Sequence, residues 1–225
     1  MPDVDPEYLP FFRSVGILEH MAAAAGSIPT AGTLRRLRGL GGAFRTSQAR
    51  SLGIPTRTLV RLREAGHLDQ LSRGVFRLAS LPAPANPDLL IVAARMPRAV
   101  LCLISALAFH DLTEEVPHAV HVALPRGAEL PLLEHPPLHV IRLRPASFQA
   151  GVEVHKVDGL DLRVFSPAKS VADCFQFRGQ VGLDTALAAL KALRRRRSFD
   201  PEELLRFAKV CRVERLVRGY LEAIL

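Results

Sequence analysis

Between residues 46 and 78 the chain is broken at short intervals by residues that helix and strand interiors reject. These are Gly53-Ile54-Pro55, then Gly66, then Ser72-Arg73-Gly74. Any element in this stretch must therefore be short. The spacing predicts a helix over residues 47–52 capped by Thr46, and a second over residues 57–65 capped by Thr56. Gly53 and Gly66 serve as the terminating residues. Residues 68–71 and 75–78 then predict a β-hairpin with Arg73 at its tip. Two short helices across a tight turn, followed by a hairpin, predict a winged helix-turn-helix.

On the second of these helices, at 100° per residue, Leu59 and Leu62 fall on one side. Arg57, Arg61 and Glu64 fall on the other, with Thr58 and Val60 at the flanks. Packing the leucines inward pushes two arginines outward, one turn apart. Charge agrees with this placement. Residues 31–80 hold ten arginines against Glu64 and Asp69, a formal +8 that equals the net charge of the whole chain. A general preference for Arg accounts for the four lysines in 225 residues, but not for the scarcity of acids in this one block. Such a block attracts polyanions by long-range field and counterion release. Arg57 and Arg61 are the candidates for base edges, because Arg can bind guanine bidentately. Thr46, Ser47, Thr56 and Thr58 suit phosphates, as do Arg45, Arg50 and Arg73, and Gln48 joins them as a DNA-contact candidate.

The rest of the chain reads as a mixed α+β unit. Residues 1–31 form an N-terminal extension, with a short helix around residues 7–21 and loose chain otherwise. Residues 33–40 read as a short basic helix within the 32–80 domain, the Pro-rich stretch 81–87 as a linker, and 88–225 as a second domain. Within it, helices are expected at 88–95, 100–110, 167–177, 183–195, 201–211 and 213–224, and strands at 118–124 and 138–143. Asp158-Gly159 marks a hairpin between strands 153–157 and 160–165. The fold class expected is α+β, a winged helix-turn-helix domain followed by a mixed domain ending in a helical bundle.

Several chemistries lack their residues. The three cysteines include no C-x-x-C and sit among apolar neighbours, as core residues do. The eight histidines form no zinc-ligand pattern, so neither a metal nor a cofactor is expected. Ser105 and His110 lack a G-x-S-x-G context. A nuclease or nucleotidyltransferase needs clustered carboxylates for Mg²⁺, whereas Asp158 and Asp161 merely flank a hairpin turn, so the chain is not expected to be an enzyme. No uncharged apolar run reaches the ~18 residues of a membrane span. The N-terminus has no basic segment ahead of an apolar core, and a cytoplasmic protein is expected. In SPAKSVADCF (166–175), Ser166 can cap a helix and Lys169 can pair with Asp173 along it. Arg194 to Arg197 form a basic run at a helix end, which suits the helix dipole.

Taken in order, FRTSQARSLGIPTRTLVRLREAGHLDQLSRGVFRL, CLISALAFHDLT, the P-H-x-V-x-V-A-L-P run at 117–125, SPAKSVADCF, LDTALAAL and RVERLVRGYLEAIL resemble the AbiEi family of antitoxins from type IV toxin–antitoxin (abortive infection, phage defence) systems. The resemblance spans about residues 33–225. It implies a winged-helix domain that binds operator DNA, usually an inverted repeat, and represses its own operon. It also implies a second domain that counteracts a cognate AbiEii-type nucleotidyltransferase toxin, without requiring a stable complex, and a monomer or weak dimer that pairs on DNA. On that resemblance Ser166, Lys169, Asp173, Arg194 and Arg195 are the candidate antitoxin residues. The residues alone leave a second reading, a winged-helix regulator whose second domain binds an effector or dimerises.

Overall fold

The computed structural model describes residues 30–224, and the expectations for residues 1–29 lie outside them. The fold is mixed α+β. We call residues 30–80 the head and residues 87–224 the body. The head begins with α1 (Thr30–Arg38), β1 (Ala43–Arg45), α2 (Thr46–Ser51) and α3 (Thr56–Glu64). The hairpin β2 (Leu68–Ser72) and β3 (Val75–Leu78) completes it. Strand β1 adds to the hairpin to give an antiparallel sheet of order β1-β3-β2.

Helices α2 and α3 each start one residue earlier than expected. Thr46 and Thr56 are the first helical residues, and the capping positions are the extended Arg45 and Pro55. The Thr46 hydroxyl is turned instead to the Gly74 carbonyl, 3.3 Å away, which ties α2 to the hairpin turn. Gln48 replaces the expected cap by accepting the Arg45 N–H at 2.8 Å. Both C-termini close as Schellman motifs. Gly53 (φ 72°) and Gly66 (φ 73°) occupy the left-handed position. The following N–H groups, of Ile54 and His67, reach back to Ala49 and Leu62. Leu59, Leu62, Leu37 and Phe44 are fully buried, and the stacked rings of Phe44 and the nearly buried Phe76 anchor the small core of the head.

The body holds a five-stranded sheet of order β6-β5-β4-β8-β7. Its strands are β4 (Val100–Leu101), β5 (Val120–Pro125), β6 (Leu138–Leu143), β7 (Val152–Val157) and β8 (Leu160–Phe165). Helix α4 (Pro87–Arg95) packs on one face. On the other lie α5 (Leu103–Phe109), α7 (Pro167–Gln176), α9 (Leu183–Arg194), α10 (Pro201–Val210) and α11 (Glu214–Ile224). Two short helices, α6 (Pro145–Gln149) and α8 (Arg178–Val181), have no counterpart in the sequence reading. Three helix starts carry side-chain caps: Asn86 for α4, Ser166 for α7 and Asp200 for α10, each followed by proline.

The expected helix over 100–110 divides in two. Val100 and Leu101 form the central strand β4, antiparallel to β5 and parallel to β8, and the helix begins only at Leu103. Both faces of a central strand are buried, so its residues run apolar without alternation and imitate a buried helix.

Head and body are joined through the tip of the β7–β8 hairpin. The Ala43 N–H donates to the Asp158 carbonyl at 2.7 Å. Gly41 lies so close to Gly159 that a Cβ on Gly41 would stand 2.5 Å from the Gly159 Cα. Arg77, only 4% exposed, binds the Asp158 carboxylate at 2.6 Å and donates to the carbonyls of Leu81 and Pro82. Ala43 and Val75 of the head are buried in one cluster with Leu90, Leu101 and Val164 of the body.

Candidate nucleic-acid interface

Helix α3 packs against α2 and β2, and its opposite side faces solvent. Arg57 and Arg61 are exposed there, one turn apart, because the fully buried Leu59 and Leu62 fix the rotation of the helix. Thr56 is exposed at its first turn and Thr58 is half-buried. Ser47 and Arg50 are exposed on α2, and Arg73 is exposed at the hairpin turn. Apart from the half-buried Thr58, these side chains are exposed on the helix pair and at its hairpin turn. The structure adds Arg35, Arg36 and Arg38 on α1 and Arg63 on α3, all exposed. Their signal was the arginine count of the block itself. Arg63 is steered by Gln70, whose side-chain oxygen it meets at 2.5 Å.

Two arginines of the block turn inward. Arg45, expected at phosphate, is part-buried and donates to the Ala93 carbonyl at 3.2 Å, at the end of α4. Arg77 is the buried clamp already described. Thr46 and Gln48 are half-buried and hold the start of α2. Eight arginines and two acids, Glu64 and Asp69, therefore face solvent on the head. Among the described residues none of these eight arginines forms a salt bridge. An array of unpaired, exposed guanidinium groups on short rigid elements provides fork-shaped donors for phosphate oxygens and base edges.

The second group of candidate residues lies in the body and divides. Ser166 is 6% exposed, and its hydroxyl accepts the Lys169 N–H at 3.3 Å. Lys169 and Asp173 are buried to 0% and 1% exposure. The ammonium meets both carboxylate oxygens, at 2.6 and 2.5 Å. The Phe165 ring lies 4.2 Å from the Lys169 ammonium, and the Cys211 thiol donates to Asp173 at 3.2 Å. Burial raises the Asp173 carboxyl against the pull of Lys169. No approaching macromolecule reaches this triad without opening the body. Arg194 and Arg195 are exposed at the far end of α9, apart from it.

Elsewhere in the body the geometry is that of a packed core. Cys102, Cys174 and Cys211 are buried, and burial pushes their thiols up, away from the nucleophilic thiolate. His121 is lowered to about 4 by burial and by His139, whose ring centroid lies 4.8 Å away. Burial also lowers His110, against the hydrogen bond it makes to the Phe165 carbonyl. Among the described residues no three His, Cys, Asp or Glu side chains stand close enough to hold a metal ion. Nor is any helix there long and apolar enough to cross a membrane.

Residues 33–79 match the family model described as "Transcriptional regulator, AbiEi antitoxin". The match falls on the segment holding α2, α3 and the hairpin and agrees with the AbiEi resemblance of that stretch. The chain is also similar to the crystal structure of the RV2827C protein from Mycobacterium tuberculosis. That similarity has a TM-score of 0.50 at 13% identity and covers 87% of this chain and 80% of that one. At that identity the likeness speaks for the fold alone. No curated protein matches the chain.

Proposed function

We propose that this protein is a DNA-binding autorepressor and the antitoxin of a type IV toxin–antitoxin system. On this reading residues 32–80 are a winged helix-turn-helix module. Residues 88–225 form an antitoxin domain, ending in a helical bundle, that counteracts a nucleotidyltransferase toxin of the AbiEii type. The protein works by binding, with no catalytic step of its own, in the cytoplasm. The observation that carries the reading is the unpaired arginine face of α3, within the segment that matches an antitoxin regulator family. Arg57 and Arg61 read base edges in the major groove. Arg50, Arg73 and the hydroxyls of Ser47 and Thr56 hold phosphates. Arg45, Thr46 and Gln48 act one step back, by fixing the start of α2 against the hairpin and α4. Two copies on an inverted repeat complete the operator complex.

The test is anisotropy titration of a duplex from upstream of the protein's own operon against a scrambled duplex at fixed salt. Each good base contact is worth ~1–3 kcal/mol, so Arg57→Ala with Arg61→Ala lowers operator preference at least tenfold. Roughly six phosphate contacts give a slope of about −5 in log K against log salt. The same double variant still rescues growth from the co-expressed toxin. Unchanged operator preference in the double variant overturns the assignment of α3, and loss of rescue overturns the division of labour.

A further inference from the structure

A second basic site lies in the body. Arg178 at the start of α8, Lys209 in the last turn of α10, and Arg212 and Arg215 around the start of α11 line a concavity of about 430 Å³. Such a volume is within the range of small-ligand sites, ~300–1,000 Å³. All four cations are exposed. Glu214 is the one acid in the lining, and Arg218 engages its carboxylate at 3.0 Å. Arg178 gives one N–H to the Phe175 carbonyl. Lys209, Arg212 and Arg215 have no ion pair among the described residues. Elsewhere on the body Lys156 is paired with Asp161 and Arg206 with Glu203, while Arg98, Arg126, Lys191, Arg195 and Arg197 are exposed without an ion pair among the described residues but do not line this concavity.

The position of Arg212 adds to this. Helix α10 ends in a Schellman motif, with the Arg212 N–H bonded to Lys209 and the Val213 N–H to Ala208. Arg212 occupies its left-handed position at φ 61°, where glycine is the ordinary choice. Residues held in sparsely populated backbone conformations cluster at functional sites. Four positive charges gathered in one concavity repel one another and focus a positive field into it. Guanidinium forks match the oxygens of phosphate and carboxylate alike, and a concavity lined by four cations favours the more highly charged phosphate.

We propose that this concavity is a phosphate-binding site. It takes the phosphates of a single nucleic-acid strand or of a free nucleotide, independently of the duplex-facing arginines of the head. The probes are a labelled ten-nucleotide single-stranded RNA and inorganic pyrophosphate, titrated against the full chain carrying Arg50→Ala, Arg57→Ala, Arg61→Ala and Arg73→Ala to silence the head. Adding Lys209→Gln, Arg212→Gly and Arg215→Gln should weaken the affected probe at least tenfold, with the melting temperature retained because glycine suits the position of Arg212. The salt slope for RNA should become shallower by about 2, at ~0.7 per neutralised strand phosphate. Arg178→Gln with Arg215→Gln, which alters exposed side chains only, must act in the same direction. RNA binding that pyrophosphate does not displace assigns the site to a strand, and pyrophosphate binding with the same sensitivity assigns it to free phosphate. The proposal is overturned if the head-silenced chain binds neither probe, or if the added substitutions leave both affinities within twofold.

Discussion

Helices α3 and α7 are nearly the same length, and each carries two charged side chains four residues apart. On α3 these are Arg57 and Arg61, like-charged and exposed. On α7 they are Lys169 and Asp173, opposite in charge and buried. The spacing places both pairs on one helix face, so spacing does not separate their roles. Location and sign do. Exposed like charges cost a few tenths of a kcal/mol in a helix and are useful only when an anion arrives. A buried opposite pair is expensive to desolvate, and holds only while both partners remain. The head thus leaves its charge unpaired toward a ligand, while the body uses a matched pair to join α7, α10 and the strand end at Phe165.

The comparison can be broken in order of effect. Asp173→Asn leaves the Lys169 ammonium buried without its counter-charge and should lose ~3–5 kcal/mol of stability in urea unfolding. Lys169→Met combined with Asp173→Leu should recover most of that loss. If the single variant loses less than about 1 kcal/mol, α7 is not held by its pair. Arg77→Met strips a charged donor from Asp158 and from two carbonyls, and should cost ~1.5–3 kcal/mol in the same measurement. Acid acts more weakly. His121 and His110 bind protons less readily folded than unfolded, so the unfolded chain takes up more protons as pH falls. The stability they contribute is complete above about 6.5, the ordinary value for His, and for His121 it drains away as pH drops toward about 4. His121→Gln should flatten the midpoint-against-pH curve in that window, and an unaltered slope would show that the ring does not titrate as its burial dictates. The smallest effect belongs to α3. Arg57→Ala with Arg61→Ala should shift stability by less than ~0.5 kcal/mol while operator binding collapses.

What could be read from the chain follows the range of the interactions. The caps at Ser166 and Asp200 act within three residues, and those helices begin where expected. Gly53 and Gly66 end α2 and α3 for the same local reason. The outward face of α3 follows from Leu59 and Leu62 alone. Strand β1 is three residues long and exists only through its pairing with β3, thirty or more residues on, so no local pattern announces it. Strand β4 is hidden in an apolar run because both its faces are covered. The inward turn of Arg77 depends on Asp158, 81 residues away. Arg45 likewise depends on Ala93. Counting charge in the block overstated its outward face by those two residues. The concavity at Arg178 was invisible because α8, α10 and α11 bring together cations separated by more than thirty residues.

The contact of Gly41 with Gly159, beside the Arg77 clamp, makes the head a poor unit of exchange. A chimera cut in the proline-rich stretch, where composition marks the natural seam, would carry away Arg77 without Asp158 and Ala43 without the carbonyl that takes its N–H. Any sequence that inherits this reading face must therefore inherit the Asp158-Gly159 turn with it. The smallest transferable module is a discontinuous one, residues 30–80 together with the tip of a hairpin eighty residues downstream.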